Sequence, residues 1–186
     1  MGLSASFTRS VLTVLVSGVS ACSGDGSAKT TADASTTVGR DNAPEPPEDV
    51  CALLTLDDAK MLLPMAMTVE QEQPVNYPDN WISTCAYRGV ATTYVELQIE
   101  GALSSAGLRA IDIEAGGHGD GPRTPVSGLG DRAAFYTSMG GLSVGLAVRR
   151  GNTLVDLGVN LAEQPPTEAT LEPFVRLVFD RLHSMT

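Results

Sequence analysis

The sequence predicts an α+β domain: a mostly antiparallel sheet of about five strands, packed by helices on one face and closed by a C-terminal helix. Three observations carry this. Apolar residues alternate in several short runs, the signature of half-buried strands. Two of those runs flank the turn residues Arg150-Gly151-Asn152, as in a hairpin. The last segment carries Leu171, Phe174, Val175, Val178 and Leu182 at helical spacing.

Each element follows from local chemistry. Thr55-Leu56-Asp57-Asp58 is a capping box, in which the Thr hydroxyl and the Asp58 carboxylate satisfy free backbone N–H groups. Leu56, Ala59, Leu62 and Leu63 then keep helical spacing, and Pro64 stops the helix. Residues 68–80 hold Pro74, Pro78, Asp79 and Asn80 and read as loop. Residues 82–88 form a strand with Cys85 and Tyr87 on one face. Val95, Leu97 and Ile99 alternate with Glu96, Gln98 and Glu100 in the next. Residues 102–111 are a helix candidate weakened by Gly107, and 115–125 are a Gly- and Pro-rich loop. Ala133–Thr137 reads as a strand. Leu142, Val144, Leu146 and Val148 alternate in a further one, and Val155, Leu157, Val159 and Leu161 in its partner, with Asp156 and Asn160 outward. Pro165-Pro166 precedes the final helix. No internal repeat of fixed period is present.

This domain occupies residues 50–186. Residues 1–21 ahead of it read as an export signal: Arg9 supplies positive charge, and Val11-Leu12-Thr13-Val14-Leu15-Val16 is an apolar run too short to span a bilayer. Residues 22–49 read as a disordered tether. Val38 is the only large aliphatic residue after Cys22, so the stretch cannot bury enough apolar surface to order itself. As a flexible coil it would span about 26–31 Å. Val19-Ser20-Ala21-Cys22 resembles a bacterial lipobox. That resemblance implies a diacylglycerol on the Cys22 thiol and a new N-terminus there after cleavage. Met1-Gly2-Leu3-Ser4-Ala5-Ser6 also fits the myristoylation pattern, but a single acyl chain needs a second signal that the sequence lacks.

Charge and cysteine count narrow the function classes. Twelve Lys and Arg against 22 Asp and Glu give a net charge of −10, and no basic cluster exceeds Arg149-Arg150. Nucleic-acid binding needs concentrated positive charge, so it is not expected. With Cys22 taken by lipid, Cys51 and Cys85 remain, and an exported protein sits where disulfides persist. A bridge between them would pin the first helix to the sheet. Neither a C-x-x-C pair nor His at ligand spacing occurs, so no metal and no other cofactor is expected.

Motif searches return structural readings. Gly141-Leu142-Ser143-Val144-Gly145 matches G-x-S-x-G, but a nucleophile elbow needs a helix after the Ser, and here a β-alternating run follows. Ser143 should lie mid-strand, facing outward. The run 116–121 lacks the Gly-Lys-Ser/Thr of a phosphate loop, His118 reads as a solvated loop residue, and His183 suits the negative end of the last helix. Asp57-Asp58 reads as a capping turn, and Asp112 and Glu114 as a solvated surface.

Cys51-Ala52-Leu53-Leu54-Thr55, Asp58-Ala59, Leu62-Leu63, Cys85-Ala86-Tyr87 and Val126-Ser127-Gly128-Leu129-Gly130-Asp131-Arg132-Ala133, in that order behind the lipobox, resemble the small exported lipoproteins of actinobacteria grouped as a domain of unknown function. The resemblance implies a lipid-anchored domain on the extracytoplasmic face of the cell membrane, with a Cys51–Cys85 bridge and no established catalytic activity. The Gly-rich 115–121 stretch and Arg132 depart from the pattern.

The expected function is therefore a non-catalytic, membrane-anchored binding domain. Its partners would be the membrane, through the lipid, and an envelope protein or small ligand. Two alternatives are an envelope hydrolase built on carboxylates and a carrier of an apolar ligand. An enzyme should show perturbed carboxylates in a cleft, a carrier a dry cavity under the helix, and a protein-binding module neither of these but an exposed apolar patch or free sheet edge.

Overall fold

The computed structural model describes residues 44–117, 119–161 and 164–185. Cys22, the export signal, the first part of the tether and His118 lie outside the described residues.

Thr55 opens α1 (Leu56–Leu62) as the capping box requires: its Oγ1 accepts from the Asp58 N–H at 3.2 Å, and the Asp58 carboxylate accepts from the Thr55 N–H at 2.8 Å. Five strands follow the alternating runs: β3 (Asn80–Arg88), β4 (Tyr94–Ala102), β6 (Arg132–Ser138), β7 (Ser143–Arg150) and β8 (Thr153–Asn160). Three more bring the sheet to eight: β1 (Thr68–Gln71), β2 (Val75–Asn76) and β5 (Arg123–Pro125). About five strands was thus an undercount. The missed strands are two to four residues long and fully exposed, so no apolar alternation marks them. Pairing is antiparallel throughout, in the order β1-β3-β4-β8-β7-β6-β5, with β2 also on β3.

The larger core lies on one face of this sheet. Val95, Leu97 and Ile99 of β4, Val144, Leu146 and Val148 of β7, and Val155, Leu157 and Val159 of β8 all point into it. There they meet α1 and Leu171, Val175 and Val178 of α3 (Glu168–Met185). The other face carries α2 (Ser105–Glu114), whose Ile111 packs with Ala102, Tyr136, Ala147 and Leu154. Helices therefore cover both faces, not one. This has a local consequence: Ser143, Asp156 and Asn160, expected outward and solvated, are all buried. The second face is itself roofed, by α2 and by the Tyr136 ring, which lies so close to Gly145 that a Cβ there would overlap it.

Cys51 and Cys85 form a disulfide, with Cα atoms 5.3 Å apart. It ties the 3-10 turn Val50–Ala52 to β3. Beside it the Tyr87 hydroxyl donates to the Leu54 carbonyl, and Arg181 of α3 donates to the Leu53 carbonyl at 3.0 Å and to Asp58 at 2.5 Å.

Candidate functional site

Chain from Pro44 onward already lies on the domain: the Trp81 indole N–H donates to the Pro44 carbonyl at 2.6 Å, and Gln71 to the Glu48 carbonyl at 2.9 Å. Between this segment, the end of the sheet and the last turns of α3 is a hollow of about 540 Å³. Trp81, 2% exposed, and Phe179 form its aromatic wall, joined by Leu182 and Thr153. The Trp81 indole seats on Gly101 of the neighbouring strand, where a Cβ would overlap the ring. Glycine at that position is what lets a side chain this large lie down against β4.

Arg150 reaches the same hollow. Successive strand residues face opposite ways, so the Arg149-Arg150 pair is split by the sheet. Arg149 bonds Asp112 at 3.0 Å and approaches Asp131 at 3.4 Å on the α2 face. Arg150 faces α3, its guanidinium 4.3 Å from the centroid of the Phe179 ring. No carboxylate among the described residues pairs with it. Glu45, Asp180 and His183 complete the lining, all three exposed.

A second polar feature lies on the α2 face. Glu96 of β4 is held above the usual carboxylate range, first by burial and then by the negative charges of Glu72 and Asp156, with Arg88 partly offsetting them. Tyr136 donates to both oxygens of Asp156 at 2.9 Å, and its own hydroxyl is pushed up by burial and by that carboxylate. Ser143, the first residue of β7, is 5% exposed with an Oγ that has no hydrogen-bond partner. A strand follows it, so it does not project as an elbow nucleophile would.

A third surface is apolar. Met61, Met65, Met67 and Val69 are exposed around the end of α1 and the edge strand β1.

The chain matches no family model, no curated protein and no solved structure. The site therefore stands on its own geometry.

Of the residues singled out from sequence, the structure joins Cys51 to Cys85, and neither lines the hollow. The Gly128-Leu129-Gly130-Asp131 motif is a turn. Leu129 is buried, Gly130 takes φ +87° against the Arg149 carbonyl, and Asp131 accepts from the Gly151 N–H at 2.7 Å. Asp112 is not a solvated acid but the bridge between Arg132 and Arg149, at 2.8 and 3.0 Å. Sequence reasoning missed Trp81, Arg150 and Phe179. A lone tryptophan was the available signal, and its partners come from elements far apart in the chain.

Proposed function

We propose that this chain is an envelope lipoprotein, anchored through Cys22 and non-catalytic, whose domain binds a small ligand in the hollow walled by Trp81 and Phe179. One observation carries the binding half: a hollow of about 540 Å³ in which an aromatic wall meets a rim of charged side chains, a size within the range of small-molecule sites. The anchored half rests on the lipobox-like Val19-Ser20-Ala21-Cys22. The hollow borders Pro44, so a tether from Cys22 would join the domain beside the site.

The test is native mass spectrometry of the protein extracted from membranes in mild detergent. The reading predicts a small-molecule adduct that Phe179→Ala weakens. A protein without adduct, whose Trp81 fluorescence also answers to no amphiphile, would contradict it.

Glu96 favours a second reading, a hydrolase on the α2 face, since a carboxyl with a raised pKa suits general-acid work. Glu96→Gln abolishing a hydrolytic activity of the purified chain would support that reading in place of binding.

A further inference from the structure

We propose that the ligand of the Trp81–Phe179 hollow is an amphiphile with a single anionic head on an apolar body, the head held by Arg150. This rests on the binding reading above and adds the ligand's chemical class.

Arg150 carries the argument. Arg88, Arg132, Arg149, Arg176 and Arg181 each face a carboxylate within 4 Å, whereas the exposed Arg109 and Arg123 face none among the described residues. Arg150 also has none among the described residues, yet it is half-buried, with its guanidinium carbon over the Phe179 ring at 4.3 Å from the centroid. A guanidinium stacked on a ring satisfies its face and leaves its in-plane N–H donors pointing outward. That fork matches the two oxygens of a carboxylate or a phosphodiester. The ring contact positions the group before the ligand arrives, so less ordering entropy is lost on binding.

The rest of the lining limits the ligand. Leu182, with the nearly buried Trp81 and Phe179 behind it, gives the lining an apolar part that a small inorganic anion would leave unused. Glu45 and Asp180 stand exposed in the same lining and would repel a polyanion. One negative group on an apolar body satisfies both conditions. Such a head is found on a free long-chain carboxylic acid and on an anionic membrane lipid.

Trp81 is the only tryptophan in the chain, so intrinsic fluorescence of the full-length, unlipidated chain reads this hollow directly. The probes are dodecanoate, dodecanol and dodecyltrimethylammonium, each below its micellar concentration. We expect saturable binding of dodecanoate at least tenfold tighter than of the other two. Arg150→Gln should cost dodecanoate at least tenfold and leave dodecanol unchanged, and Arg150→Lys should fall between. Equal affinities for the three head groups in the unmutated chain would overturn the proposal whether or not the variants fold. Such a head-blind response would leave the binding reading standing, whereas no response to any probe would contradict both. Two further arms identify the source. A response to phosphatidylglycerol vesicles but not to phosphatidylcholine vesicles assigns a lipid head, and a response to dodecanoate alone assigns a free acid.

Discussion

Asp58 shows how one carboxylate can hold three elements. It caps α1 through Thr55 and receives Arg181 from α3, whose guanidinium also reaches the Leu53 carbonyl beside the disulfide. Burial alone would raise its pKa, but the hydrogen bonds from Arg181 and Thr55 outweigh that and hold it below the ordinary value. A depressed folded pKa stabilises the fold above the unfolded value of about 3.9, and that stabilisation is lost as pH falls through the folded value. Asp58→Asn should therefore lower the melting temperature at pH 7, and the gap to the parent should close toward pH 2. A gap independent of pH would show that packing, not charge, is what the residue contributes. Glu96 has the opposite sign. Its raised pKa means that its charged form is disfavoured in the fold. Glu96→Gln should raise the melting temperature at pH 7, with the gain vanishing below the unfolded value of about 4.3. Ser143→Ala removes a buried hydroxyl without a partner, so stability should stay within about 1 kcal/mol of the parent and shift upward if at all. Labelling of Ser143 by a fluorophosphonate would contradict its structural role.

At the scale of elements, the disulfide and the capping box do related work. The bridge spans a sequence separation of 34, for which the chain-entropy model gives about 3.8 kcal/mol. Reduction, or Cys51→Ser, should lower the melting midpoint by several degrees, read by circular dichroism. A midpoint unchanged by reductant would mean that Tyr87 and Arg181 alone suffice to dock the α1 segment. The five longer strands, the capping box and the final helix were legible because each writes a period or a cap into its own residues. The short edge strands β1, β2 and β5 were not, since pairing to β3 and β6 defines them and their side chains are exposed. The placement of α2 was also hidden. Ile111 is an apolar residue that either face could have taken, and it is the contacts of Asp112 with Arg132 and Arg149 that mark the side. The candidate site was illegible for a related reason. Trp81, Arg150 and Phe179 are distant in sequence: the register of β3, β4, β8 and β7 sets the first two at one end of the sheet, and the packing of α3 brings Phe179 to Arg150.

For the whole molecule, the proposed tether and the hollow give a coherent division of labour. The sheet and α3 fix the aromatic wall, while the segment at Pro44 closes one side of it through the Trp81 hydrogen bond. An acidic molecule of net charge −10 gains no electrostatic attraction to an anionic membrane surface, so stable attachment would rest on the lipid. The direct measurement is phase partitioning of the protein from labelled cells in a cloud-point detergent, comparing the parent with Cys22→Ala. The parent should enter the detergent phase and the variant should remain in the aqueous phase. Equal partitioning of the two into detergent would contradict the anchored reading.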